Sequence, residues 1–274
     1  MRNKVGILFQ PMSKAAGEMA VKLERIIADL GASVWVCSSW DEDRARELTD
    51  GTELVVCLGG DGTILRAARI VDGKEIPIVG VNLGRLGFMT ELGAADALSR
   101  ITDFVGDNGY MEERTMLQAS MAGPGGGTYH ALNDVVVGRA GKARLVRVAA
   151  SVDGERVTIY KADGVIVATA TGSTGYALAA GGPILHPEGR ELLLQPIAAH
   201  MSLSRTLVLP PDSRIELEVS TTHGASLTVD GQIEVPLEDG SIVSVQRSPR
   251  VTRMLRGSRP RFYETLIKKL AVPE

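Results

Sequence analysis

Cysteine is nearly absent from this chain of 274 residues, with Cys37 and Cys57 the whole supply. Each sits in an apolar, strand-like run and no Cys-x-x-Cys spacing occurs, which excludes a disulfide-stapled scaffold and points to buried, reduced thiols in a cytosolic compartment. Histidine is sparse too: His130, His186, His200 and His223 are scattered without paired spacing, so no zinc motif exists. Neither sign of charge dominates, since 30 Lys and Arg face 33 Asp and Glu for a net -3. That balance offers no global footprint for nucleic acid or an anionic membrane. No apolar run approaches a membrane span, and residues 5–9 are too few for the core of a signal peptide. The expectation is a soluble, cytoplasmic protein with neither a nucleic-acid nor a membrane partner.

What is present is organised in two textures. Up to about residue 100, apolar runs at 5–9, 34–36, 54–58 and 78–81 alternate with helical patterns at 16–30, 44–48 and 64–70. This βαβ rhythm predicts a parallel sheet covered by helices, with ligands at the carboxyl ends of its strands. Beyond about residue 110, strand-like stretches at 144–152, 156–160, 214–219 and 226–229 predominate. Asp153-Gly154 and Asp230-Gly231 read as two hairpin turns of similar design, and Gly-Pro-Gly-Gly-Gly at 123–127 reads as a flexible loop. A final helical pattern at 262–270, apolar at Phe262, Leu266, Ile267 and Leu270, is expected to pack back. The predicted fold is α/β: a Rossmann-like parallel-sheet domain over 1–105, a β-rich, sandwich-like domain over 106–250, and a segment over 251–274 returning to the first domain.

Residues 59–63 read Gly-Gly-Asp-Gly-Thr and join the apolar run 54–58 to a helical pattern. A turn almost without side chains lets backbone N–H groups approach an anion, with a helix N-terminus aimed at it. Gly59, Gly60, Gly62 and Thr63 are therefore the candidate phosphate-donor turn. Asp61 is its only charged group, suited to accept the proton of a reacting hydroxyl or to stand by a metal. The competing reading makes Asp61 a helix cap between ordinary turn glycines.

A second glycine cluster occupies 163–187. Thr169, Thr171, Ser173 and Thr174, with Gly172 and Gly175, offer small neutral donors and acceptors for a polar ligand, and Tyr176 an aromatic wall. The competing reading is a strand and tight turn with no ligand.

Here the chain resembles the NAD kinase family, which phosphorylates the 2′-hydroxyl on the adenosine ribose of NAD. The resemblance rests on residues 59–63, on Asn-Leu-Gly-Arg-Leu-Gly-Phe at 82–88, on Leu-Asn-Asp at 132–134, on 163–187 and on Val-Asp-Gly-Gln at 229–232, in the family's order. The first turn is shared with phosphofructokinases and lipid kinases; the long second cluster selects NAD kinase. Asp134 replaces the commoner glutamate, Ala170 the usual proline, Gly175 a frequent alanine and Ala179 a frequent serine.

The resemblance implies that Asp61 accepts the 2′-hydroxyl proton, that Gly62 contacts the dinucleotide and that Arg66 lies near phosphate. It implies NAD contacts at Asn133, Asp134, Arg144, Lys161, Asp163, Thr174, Gly175, Tyr176, Ala177, Leu178, Ala179, Ala198 and Gln232, with Asp163 reaching a neighbouring subunit's site. A homodimer or homotetramer is implied, with NAD and ATP as substrates, polyphosphate as an alternative donor and a divalent cation, most simply Mg²⁺. No dedicated metal cage is expected. Two other readings stay open: a non-catalytic NAD-sensing module, and a lipid or sugar kinase sharing only the first turn.

Overall fold

The computed structural model describes residues 1–84, 87–122, 126–141, 145–200 and 203–270. The chain divides into two compact units, Met1–Glu113 with Thr252–Glu274, and Arg114–Val251.

The first unit runs β1 (Lys4–Phe9), α1 (Lys14–Asp29), β2 (Ser33–Ser38), α2 (Glu42–Leu48), β3 (Leu54–Gly59), α3 (Asp61–Ile70), β4 (Ile78–Asn82), β5 (Leu92–Gly93) and α4 (Ala94–Val105). Its strands pair in parallel in the order β4-β3-β1-β2, with β5 beside β4. Strands covered on both faces carry unbroken apolar runs, and β3 is buried from Leu54 to Leu58. Ser13 caps α1 by accepting the Ala16 N–H, and the helix buries Ala16, Ala20, Leu23 and Ile27 at helical spacing. Helix α4 goes beyond the pattern read from the sequence; it buries Ala97, Ile101, Phe104 and Val105 in the same core as β1 and β3.

The second unit is β-rich. Strand β6 (Tyr110–Met121) leads into it, followed by β7 (Gly127–Ala131), β8 (Asp134–Arg139), β9 (Val146–Val152), β10 (Glu155–Ala162), β11 (Gly164–Ala168), the short helix α5 (Tyr176–Ala179), β12 (Leu192–Ile197), β13 (Leu207–Leu209), β14 (Ile215–Ser220), β15 (Ala225–Val229), β16 (Ile233–Leu237) and β17 (Ile242–Arg256). One antiparallel sheet has the order β13-β12-β11-β8-β15-β16, and β10, β9, β14 and the start of β17 form a second layer. Alternate residues of both layers, such as Val146, Val148, Ile215, Leu217, Val135 and Val165, meet in one core, which makes the unit a β-sandwich. The fold class is thus the one expected from the sequence.

The two Asp-Gly turns differ from each other. Asp153-Gly154 is a two-residue connection with both φ values positive, while the second hairpin pairs Val229 with Ile233 and so holds a third residue, Gln232. At the end of β17, Met254 pairs in parallel with Ile78 of β4, and α6 (Phe262–Leu270) completes the first unit. Phe262 is buried there, but Ile267 and Leu270 stand in solvent, so the apolar face expected to pack is mostly uncovered.

Candidate functional site

Strand β3 ends at Gly59, and α3 begins at Asp61 with Gly60 as its N-cap. Asp61 does not cap its own helix, which has no side-chain cap. Its carboxylate instead accepts the Phe88 N–H at Oδ2 (2.8 Å) and the Met89 N–H at Oδ1 (3.0 Å). Gly87 permits that approach, because a Cβ there would lie 2.2 Å from Asp61 Oδ1. Gly60 and Gly62 are the reverse case: neither has a positive φ, and a Cβ on either would meet nothing within 4 Å. No protein contact requires them to be bare. Their effect is to leave the turn open at a helix N-terminus, where N–H groups and the helix dipole favour an anion.

The segment that holds Asp61 is itself pinned. The Met89 carbonyl accepts from Arg256 Nη1 (2.8 Å), and Arg256 Nε pairs with Glu112 (2.8 Å); both of these charged residues are buried. Glu91 lies 3.6 Å from the same guanidinium. From the last turn of α6, Lys269 Nζ stands 3.8 Å from Asp61 Oδ2 and 4.0 Å from the centroid of the Phe88 ring.

In the second unit, Asp230 accepts three backbone N–H groups, from Leu132 (2.9 Å), Asn133 (2.7 Å) and Asp134 (3.1 Å). Thr169 Oγ1 donates to the Leu132 carbonyl, and a Cβ on Gly172 would lie 2.0 Å from the Asn133 carbonyl oxygen. The second glycine cluster therefore packs against the Asn133 backbone. Asn133, Asp134, Val136, Tyr176, Thr228 and Asp230 line a cavity of about 370 Å³. Asn133 Oδ1 is buried with no hydrogen-bond partner among the described residues. Burial, and secondly the Asp230 charge, push the Asp134 carboxyl up to about 7, so near neutrality it is present in both forms and able to donate as well as accept. A second cavity of about 410 Å³ shares Val136, Tyr176 and Thr228 and reaches Arg139 and Asp163, whose side chains pair at 2.8 Å.

Several expected positions have other surroundings. Thr169, Thr171 and Ser173 are buried rather than displayed: Ser173 donates to the Ala170 carbonyl and accepts the Leu185 N–H, while Thr171 Oγ1 accepts from Arg114. These hydroxyls build the cluster from inside, and Thr174 likewise donates to the Thr171 carbonyl (3.0 Å). Gly175 precedes α5, which consists of Tyr176, Ala177, Leu178 and Ala179; Ala177 is buried and Tyr176 is 47% exposed. Arg66 pairs with Glu42 (3.1 Å) and lies over Trp40. Lys161 is exposed on β10, Ala198 follows β12 with φ of 48°, and the Gln232 N–H bonds the Val229 carbonyl. Arg144, Arg85 and Leu86 and residues 123–125 lie outside the described residues.

Sequence reasoning missed Asp230 as more than a turn residue, and missed Lys269, Arg256 and the N–H groups of Phe88 and Met89. Backbone donors carry no sequence signal; for Asp230, the run Val-Asp-Gly-Gln was the available clue.

Among the described residues, no group of three or more His, Cys, Asp or Glu could hold a metal, and no helix is long and apolar enough to cross a membrane.

A parallel α/β unit with an open glycine turn after its third strand, joined to an antiparallel sandwich whose cavity is lined by Asn133, Asp134, Tyr176 and Asp230, is the class of protein suited to a phosphorylated ligand. Residues 7–109 match the family model described as the ATP-NAD kinase N-terminal domain, and residues 132–257 match the ATP-NAD kinase C-terminal domain. A protein named NAD kinase from Dehalococcoides mccartyi (strain CBDB1) is 40% identical over 275 residues, covering 98% of this chain and 96% of its own. The crystal structure of a yeast NADH kinase complexed with NADH superposes with a TM-score of 0.82 at 25% identity, over 98% of this chain and 87% of that one. An NAD kinase from Archaeoglobus fulgidus in complex with ATP gives 0.78 at 27% identity, over 97% and 98%. The chain belongs to the NAD kinase family.

Proposed function

We infer that this enzyme phosphorylates NAD to NADP with ATP as co-substrate, and we propose that the acceptor is the 2′-hydroxyl of the adenosine ribose. The observation that carries the reading is Asp61, whose carboxylate is held by two N–H groups beside glycines that no internal contact requires. NADH and ATP in the related structures support the same substrates.

Phosphoryl transfer passes through a loose transition state that demands alignment and charge neutralisation more than a strong base. Asp61 accepts the hydroxyl proton as the new P–O bond forms. The turn formed by Gly59, Gly60, Gly62 and Thr63 receives donor phosphates. Asn133 and Asp134, with Tyr176, bind nucleoside groups of NAD; the buried Asn133 Oδ1 supplies an acceptor, and the Asp134 carboxyl, pushed up by burial, supplies a donor in its protonated form. Gly62, Thr174, Gly175, Ala177, Leu178, Ala179, Lys161, Asp163, Ala198, Gln232, Arg66 and Arg144 complete the proposed contacts. A divalent cation such as Mg²⁺ would be held mainly by the donor's phosphates, with Asp61 the carboxylate of the turn able to stand beside it, since this ion needs one or two carboxylates at most. It would offset charge on the phosphate oxygens.

A cytoplasmic homodimer or homotetramer, with Asp163 serving a neighbouring subunit's site, belongs to the same reading. A lipid or sugar kinase sharing only the first turn would not match the family over residues 132–257.

The test is NADP formation from NAD, ATP and Mg²⁺, read by an NADP-specific dehydrogenase, with polyphosphate as a second donor. Asp61→Asn keeps the shape and removes the proton acceptor, so turnover falls by about 10²-fold or more. Activity near wild type in that variant removes Asp61 from the mechanism; NAD binding without product returns the sensing module.

A further inference from the structure

Two adjacent lysines in the last turn of α6 have different surroundings. Lys268, 63% exposed, bonds Glu264 one turn back at 2.7 Å. Lys269, 25% exposed, turns inward, with Nζ 3.8 Å from Asp61 Oδ2 and 4.0 Å from the Phe88 ring centroid. Asp61 does not need it for hydrogen bonding, because each carboxylate oxygen already accepts a backbone N–H. At 3.8 Å the two charges attract without a hydrogen bond, so the ammonium donors are not spent on the carboxylate. A partly exposed ion pair contributes little to stability. On Asp61's own helix, Arg66 and Arg69 both pair with Glu42, and in the described ion pairs Lys269 is the cation that stands nearest the carboxylate.

We propose that Lys269 is a catalytic residue, its ammonium donating to an oxygen of the phosphoryl group in transfer. The inference rests on the function proposed above. A hydroxyl that gives its proton to Asp61 stands about 2.6–3.2 Å from that carboxylate, and the phosphorus under attack lies directly beyond it. A cation 3.8 Å from that carboxylate has the reach to meet the phosphoryl oxygens, where charge is spread in the transition state. The bond between phosphorus and the ribose oxygen forms as the bond from that phosphorus to the bridging oxygen of ATP breaks. The hydroxyl proton passes to Asp61, ADP leaves with the bonding pair, and Lys269 keeps its proton throughout. The Phe88 ring holds the ammonium by cation–π attraction while Phe88's N–H holds Asp61, so one residue orients both groups.

The test uses the full chain with Lys269→Met, Lys269→Arg and Lys269→Cys, measuring kcat, KM for both substrates and Tm. Lys269→Met lowers kcat by about 10²-fold, as loss of one transition-state donor does elsewhere, with both KM values and Tm close to wild type. Lys269→Arg retains more activity than Lys269→Met. Alkylation of Lys269→Cys with 2-bromoethylamine restores an ammonium at nearly the same reach and recovers activity. Cys37 and Cys57 are buried with their thiols pushed up by burial, so they are spared, and treated wild type is the control. A Lys269→Met enzyme with unchanged kcat, a loss confined to KM, or an alkylated Lys269→Cys that recovers nothing while folded each overturns the proposal and leaves the kinase reading standing. A wild-type protein that makes no NADP overturns both.

Discussion

Arg256 donates to the Met89 carbonyl at 2.8 Å, and the N–H of the same Met89 holds Asp61 Oδ1 at 3.0 Å. A buried ion pair and the proposed catalytic carboxylate thus share one residue of backbone, and the position of Asp61 depends on groups it never touches.

Arg256→Met leaves Glu112 charged and buried without its guanidinium, and should cost about 3–5 kcal/mol, as breaking one side of a buried pair does. Urea unfolding measures it. The double replacement Arg256→Met with Glu112→Leu should recover part of that loss in stability while kcat stays low, because the Met89 carbonyl is still released.

Alanine at the glycines near Asp61 should separate fold from function. Gly62→Ala, inside α3 and facing open space, should raise stability by roughly 0.5–1 kcal/mol through the unfolded chain, yet lower NADP formation by about 10²-fold if phosphates occupy that space. Gly87→Ala should lower both, since its Cβ would lie 2.2 Å from Asp61 Oδ1 and overpacking of this kind costs about 1–3 kcal/mol. Thermal unfolding alongside turnover distinguishes the two outcomes.

Asp134 imposes a pH dependence on stability. Its folded value of about 7 lies above the ordinary 3.8, so folding takes up a proton between those limits. The stability tied to this group is full below about pH 4 and is lost as pH rises through about 7. Asp134→Asn, which mimics the neutral acid, should therefore raise Tm at pH 8 and change it little at pH 4, by roughly 2–4 °C for each kcal/mol involved. The comparison is a Tm series against pH for both proteins.

Asp230→Asn should act on both features of that turn. It removes the like charge that helps raise Asp134, moving the stability transition to lower pH while burial still holds it above 3.8. It also weakens three N–H contacts to a charged acceptor, each worth about 1.5–3 kcal/mol at most. KM for NAD should rise more than kcat falls, which steady-state kinetics reports.

Much of this was legible in the chain itself. The βαβ alternation, the change to strands after residue 110 and the turn at 59–63 all appear as read, because hydrophobic period and glycine spacing act between near neighbours. Helix α4 lies outside the helical patterns read from the sequence, and of the hydroxyls in the second cluster Ser173 and Thr174 bond within it, while Thr169 and Thr171 bond Leu132 and Arg114 outside it. Whether a small polar side chain faces in or out depends on what the fold lays against it.

The sequence by itself determined the type of most elements, the α/β and sandwich class and the place of the open glycine turn, since these follow from local periodicity and backbone freedom. Only the tertiary structure decided that Asp61 is gripped by N–H groups 27 and 28 positions away, that Asp230 fastens a segment 97 residues before it, and that Lys269 stands beside Asp61 while Arg66 pairs with Glu42. Contacts of that range arise when distant strands and helices pack, and no spacing of residues along the chain encodes them.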